Sequence, residues 1–166
     1  MENTVAFVEH PWEPIYDKNS KVLILGTIPS PKSREVGFYY GHPQNIFWKT
    51  VAEVLGKQEP DRNMESMKKF LLENRVAMWD VLKSCEIKGA SDSHIKNAIP
   101  NDFGDILRTA NIQKIFTTGK TATKLFNQCC AKDVGMEAEY LPSTSPANRG
   151  MQAKQAFMDE WKKIKI

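Results

Sequence analysis

Four stretches of this chain hold the residues able to do chemistry. The first is Gly26-Thr27-Ile28-Pro29-Ser30-Pro31-Lys32-Ser33. Gly26 and the prolines let backbone approach a ligand closely and fix the loop's shape. Ser30, Lys32 and Ser33 are of types that contact phosphate, or they line a solvated turn. The second is Gly37-Phe-Tyr-Tyr-Gly-His-Pro-Gln-Asn-Ile-Phe-Trp48. Tyr39 or Tyr40 offers a flat face for a nucleobase, worth roughly 1–3 kcal/mol, while Phe47 and Trp48 read as core. Asn45 either caps the helix that follows or points its amide into a crevice, and the residues alone leave both open. The third is Thr118-Gly119-Lys120-Thr121, a strand–helix turn whose amides favour an anion. The fourth is Leu141-Pro-Ser-Thr-Ser-Pro-Ala-Asn-Arg149. Small hydroxyl residues between prolines, just ahead of a helix, suit backbone and hydroxyl contacts to phosphate. The alternative is a capped loop, with Asn148 capping the last helix.

Other chemistries fail on spacing. A phosphate-binding P-loop ending at Gly119-Lys120-Thr121 needs a glycine five positions before Gly119, and Lys114 stands there. There is no GxSxG elbow, and no GxGxxG follows the first strand. The three cysteines, Cys85, Cys129 and Cys130, form no CxxC. His10, His42 and His94 are scattered, so no metal site is expected. With 166 residues, 41% hydrophobic and 26% charged, the chain suits one domain with a core of its own. Nine glycines and nine prolines exclude collagen, and eight Phe, four Trp and four Tyr exclude disorder. No run approaches the roughly 18 apolar residues of a membrane helix. The acidic N-terminus has neither a basic nor a long apolar region, so no signal peptide is visible and a cytoplasmic location is the expectation. Glu2, Glu9, Glu13 and Asp17 outweigh Lys18 at one end. At the other, Arg149, Lys154, Lys162, Lys163 and Lys165 outweigh Asp159 and Glu160, so the tail is either a solvated helix face or an aid to phosphate binding.

Hydrophobic periodicity supplies the elements that must position these residues. Strands are expected at 21–25, 76–81, 112–117 and 139–141. Helices are expected at 46–55, 64–72, 101–109, 120–130 and 151–164, the last with Ala153, Phe157, Trp161 and Ile164 inward. Residues 26–44 read as one long irregular segment. Strands alternating with helices make the class α/β, a single domain over 1–166 with a mainly parallel four-stranded sheet and residues 1–20 packed on it. Ligands of such sheets sit beyond the carboxyl ends of the strands. The loops 26–45, 80–97 and 142–150, each leaving such an end, should therefore meet at one crevice.

Taken together, LILGTIPSPKSREVGFYYGHPQNIFWK over 23–49, VAMWDVLKSCEIKGASDSHIKN over 76–97 and LPSTSPANR over 141–149 resemble the uracil-DNA glycosylase superfamily. The nearest likeness is to its hypoxanthine (deoxyinosine) DNA glycosylases, and it spans about residues 10–162. The mismatch-specific uracil-DNA glycosylases are more distantly similar. They carry an asparagine, which positions the attacking water, two residues after the glycine of the first motif. Ile28 stands there in this chain, which argues against a conventional uracil enzyme. The resemblance transfers the water-positioning role to Asn45. It also places Thr118 where the family often has an amide. It implies a three-layer α/β/α domain acting on DNA as a monomer, with no metal and no redox cofactor.

On that likeness, Gly26, Thr27, Ile28, Pro29, Tyr40 and Thr118 would surround the base, with Tyr40 stacked on it. Ser30, Lys32, Ser33, Lys120 and the run Ser143, Thr144, Ser145, Pro146, Ala147, Asn148 and Arg149 would hold the DNA. Pro146 and Ala147 would form the apolar part of a wedge, and Arg149 would meet a phosphate or the opposite strand. Deamination of adenine turns N1 from acceptor to N–H donor and the exocyclic amine into a carbonyl. A pocket matched to hypoxanthine rejects adenine by roughly 10⁴, because the wrong base leaves buried groups unpaired. Asp80 or Asp92 would serve as a general base or as a structural cap. No lysine is placed as a Schiff-base nucleophile, so the expected activity is monofunctional. Two alternatives stand beside it: a mismatch-specific uracil or thymine glycosylase, and a non-catalytic DNA-binding protein of the same fold.

Overall fold

Four short apolar runs lie side by side, all parallel, in the computed structural model, which describes residues 5–88 and 95–165. They are β2 (Val22–Gly26), β3 (Val76–Asp80), β6 (Lys114–Thr118) and β7 (Ala138–Leu141), in the order β3-β2-β6-β7. Every residue of β2 is buried, as a parallel strand covered on both faces must be. Its side chains alternate between two cores. Val22 and Ile24 face a cluster with Phe47, Trp48, Phe70 and Trp161 from α2 (Phe47–Leu55), α3 (Met64–Glu73) and α8 (Gln155–Trp161). Leu23 and Leu25 face a second cluster with Ile106 and Phe126 from α4 (Gly104–Thr109) and α5 (Lys120–Cys129). The result is the expected α/β/α layering, completed by the short α6 (Ala131–Val134).

The expected strands, and the helices from 46 to 130, appear within three residues of their bounds. Three regions differ. First, a separate antiparallel sheet, β1-β4-β5, joins β1 (Val5–Glu9), β4 (Leu82–Lys88) and β5 (Ile95–Pro100). Part of the expected loop 80–97 is therefore strand. Leu82, Ser84, Cys85 and Ile87 face inward while Lys83 and Lys88 face out, and the charges mask the alternation in sequence. The N-terminal segment is tied in by the pairing of Val8 with Cys85 and by a bridge from Ile15 to Met78. Second, the segment 26–44 contains a helix, α1 (Pro31–Val36), started by Pro31 and by Ser30, whose side chain accepts from the Ser33 amide. Proline's fixed φ suits a first helical position. Third, the closing helix is broken. Lys154 is extended between α7 (Arg149–Gln152) and α8. Phe157, Trp161 and Ile164 are buried as expected, but Ala153 sits at the break and is exposed.

Candidate active site

The carboxyl ends of β3, β2 and β6 bring Asp80, Gly26 and Thr118 together. A Cβ on Gly26 would lie 2.6 Å from Asp80 Oδ1, 3.0 Å from Tyr40 Oη and 3.6 Å from Thr118 Oγ1. Glycine is required here because polar side chains already fill the space a methyl group would take.

The aromatic run separates Tyr39 from Tyr40. Tyr39 is core: its carbonyl accepts from Trp48 Nε1 (2.8 Å) and its hydroxyl donates to the Glu13 carbonyl (3.4 Å). Tyr40 adopts a left-handed backbone, φ 53°, uncommon without a glycine. That turn sends its ring to the site, where it stacks on Phe47 (centroids 3.9 Å apart, planes 7° apart). Its hydroxyl hydrogen-bonds Thr118 Oγ1 at 3.2 Å. Burial, reinforced by the Asp80 charge, pushes the Tyr40 hydroxyl far above the ordinary tyrosine value, so it stays a protonated donor.

Asn45 is half-buried two residues ahead of Phe47. Its Oδ1 accepts from the Phe47 amide at 2.9 Å, which starts α2. The N-cap position of α2 is Ile46, with no side-chain cap, so Asn45 braces the turn that leads into the helix rather than capping it, and it keeps part of its surface in solvent. The next amide, Ile46 N–H, donates to the Thr144 carbonyl at 3.2 Å. That bond ties the Asn45 turn to the loop 142–150. The loop also meets β6, since a Cβ on Gly119 would lie 3.7 Å from Ser143 Cβ.

The rim divides into buried struts and open groups. Ser33 is buried, and its hydroxyl accepts from the Gly41 amide (2.9 Å) and from Ser30 (3.0 Å). Thr27, Pro29 and Thr144 are buried as well, and half-buried Ile28 packs against the core containing Leu25. Ser30, Lys120, Ala147 and Arg149 are exposed. Lys32 is partly exposed and pairs with Glu35 at 3.4 Å. Ser143, Ser145, Pro146 and Asn148 are half-buried. Ser143 Oγ accepts from the Ser145 amide and Ser145 Oγ from the Ala147 amide. Asn148 is not a side-chain cap of a helix. Its Nδ2 reaches back to the Ser143 carbonyl (2.9 Å), beside Gln152, which donates to the carbonyls of Ser143 (3.1 Å) and Ser145 (2.7 Å).

A family profile described as the uracil DNA glycosylase superfamily matches residues 13–165. The chain belongs to that superfamily. Among curated relatives, the hypoxanthine DNA glycosylase of Methanosarcina acetivorans is 32% identical over 151 residues, 90% of this chain and 93% of that one. The hypoxanthine DNA glycosylase of Methanosarcina barkeri is 31% identical over 82% of this chain and 85% of its own. A solution structure from Methanosarcina acetivorans, a candidate uracil DNA glycosylase, superposes with a TM-score of 0.79 at 30% identity, covering 96% of each chain.

In this glycosylase-superfamily site, one residue had no signal in the sequence. His10 Nε2 lies 2.7 Å from Asp80 Oδ2, and both side chains are almost fully buried. The two are 70 residues apart, and their contact depends on the antiparallel sheet. The Asp80 side chain is almost fully buried beside His10, and Asn101 Nδ2 holds its backbone carbonyl at 2.9 Å. Asp92, the other candidate carboxylate, lies outside the described residues. The described residues contain no cluster of His, Cys, Asp and Glu of metal-site size and no helix long and apolar enough to cross a membrane.

Proposed function

We propose that this protein is a monofunctional DNA glycosylase that hydrolyses the N-glycosidic bond of a deaminated base, hypoxanthine first. The observation that carries this reading is the shared location of Tyr40, Asn45 and the Ser143–Arg149 loop, held by the Tyr40–Phe47 stack and the Ile46–Thr144 hydrogen bond. The two curated relatives named hypoxanthine DNA glycosylases support the choice of base. So does Ile28, an apolar residue where uracil enzymes of the superfamily position water.

A base inside a duplex is out of reach, so it must be extruded, at a cost of a few kcal/mol that is smallest for a mispair. Tyr40 then stacks on the base, and the 143–149 loop holds the flanking phosphates. In the chemical step, water oxygen bonds to the sugar C1′ as the bond from C1′ to the base nitrogen breaks. The electron pair leaves with the base, and the water's proton passes to solvent. The transition state is oxocarbenium-like, as in glycosidases. Asn45 takes no proton at neutral pH. Its Oδ1 uses one acceptor position on Phe47 and has a second with which to orient a water. Its contribution is positioning and electrostatic stabilisation.

The test is incubation with duplexes bearing a single deoxyinosine, deoxyuridine, deoxyxanthosine or ethenoadenine, followed by alkali cleavage of any abasic product. Deoxyinosine should give the fastest release, and no strand break should form before alkali. Preferential release of uracil would favour the mismatch-type reading. Salt-sensitive binding with no abasic product from any duplex would reduce the protein to a DNA-binding relative.

A further inference from the structure

We propose that Asp80 is the acceptor that reads the ring N–H of the extruded base, with His10 as its positioning residue. The inference rests on the glycosylase reading and adds to it the source of base discrimination. His10 Nδ1 accepts from the Trp12 amide at 3.2 Å. The ring proton therefore sits on Nε2 and is donated to Asp80 Oδ2 at 2.7 Å. Asn101 anchors the Asp80 carbonyl at 2.9 Å. One carboxylate oxygen and the backbone are thus fixed from two sides.

Among the described residues, no hydrogen bond engages the other oxygen, Oδ1. Asp80 is only 3% exposed, yet among the described residues no fully buried side-chain polar atom lacks a hydrogen-bond partner. Oδ1 therefore keeps contact with solvent. It lies above Gly26, near the Tyr40 hydroxyl. An acceptor held this rigidly at the strand ends, beside the ring assigned to stack on the base, is placed to meet a base edge.

Its chemistry matches what deamination creates. A carboxylate only accepts, and a charged acceptor makes a strong hydrogen bond. Hypoxanthine N1–H and uracil N3–H can donate to it. Adenine N1 and cytosine N3 would each turn a lone pair toward it. Guanine already carries N1–H, so its rejection falls to its amino group at C2 and to the cost of extruding a well-paired base.

The test compares duplexes carrying deoxyinosine with duplexes carrying deoxynebularine, a purine nucleoside that lacks N1–H. Affinity is measured as well as single-turnover excision. Wild-type protein should prefer deoxyinosine by about tenfold or more, the worth of one charge-assisted hydrogen bond. Asp80→Asn should erase most of that preference while changing affinity for the deoxynebularine duplex by about twofold at most. His10→Gln, which keeps a donor, should retain more of it than His10→Ala. Equal losses on both duplexes, or an unchanged preference in Asp80→Asn with native thermal stability, would overturn the proposal. The affinity arm needs no hydrolysis. If base release fails while the affinity preference responds to Asp80, the glycosylase reading falls and the recognition role stands.

Discussion

Around Gly26, polar atoms are buried and bonded to one another: His10 to Asp80, Tyr40 to Thr118, and Asn101 to the Asp80 carbonyl. Around Ser143–Arg149, the side chains mostly shape their own loop, and the outermost groups, Ala147 and Arg149, are in solvent. Floor and rim thus differ in what a substitution can do. In the floor most polar groups have fixed partners, and a buried group deprived of its partner bears the full cost of desolvation. A rim cation facing high dielectric contributes little by itself and is screened by salt. Floor changes should therefore alter chemistry and discrimination, whereas rim changes should alter affinity and its salt dependence.

The largest effect is expected at the joint between the two. Asn45→Ala should lower single-turnover release of hypoxanthine by about 100-fold or more, the scale of removing one preorganised polar group from a reacting centre, while DNA affinity stays within a few-fold. The same change removes the hydrogen bond from the Phe47 amide, which costs about 1 kcal/mol. A melting curve is therefore needed beside the kinetics. Asn45→Asp restores an acceptor for that amide and separates the two losses. Excision that survives in Asn45→Ala would remove this residue from the mechanism.

Gly26→Ala comes next. Its methyl would sit 2.6 Å from Asp80 Oδ1 and 3.0 Å from Tyr40 Oη, and Asp80 is pinned behind by His10, so the neighbours cannot simply retreat. Overpacking of this kind costs about 1–3 kcal/mol, a fall of several degrees in Tm for a chain of this length. Excision should fall further than stability accounts for, because the two groups proposed to face the base are driven apart. A variant with wild-type Tm and rate would show that the space above Gly26 is slack, contrary to a tightly built floor.

How well each region can be read from sequence follows the same division. The rim is legible as a loop because its composition carries it: Ser, Thr and Pro in one short run break regular structure and bond to their own backbone wherever the chain folds. The parallel sheet is legible because β2, buried on both faces, is a plain apolar run. The floor is legible only in part. Asp80 shows as a polar residue ending a strand, but His10 is one of three scattered histidines, and no local pattern pairs it with Asp80. Their contact is a consequence of β1 joining β4, and β4 alternates lysines with buried residues in a way that reads as loop. Tyr39 and Tyr40 are indistinguishable by type. What assigns one to the core and the other to the site is the left-handed turn at Tyr40, which no residue preference announces.

The smallest effects belong to Arg149 and Lys120, both exposed at the rim. If each neutralises one phosphate, Arg149→Ala or Lys120→Ala should each flatten the plot of log affinity against log salt by about 0.9, since one fewer counterion is released on binding. Affinity at moderate salt should fall only a few-fold, and nearly equally for deoxyinosine and undamaged duplexes, because a phosphate contact carries no sequence information. Single-turnover release at saturating protein should stay close to wild type, in contrast to Asn45→Ala and Gly26→Ala. A large drop in that saturated rate would place the altered residue in the chemical step. An unchanged salt slope would instead place its charge away from the backbone. In either case the boundary between floor and rim would have to be redrawn around that residue.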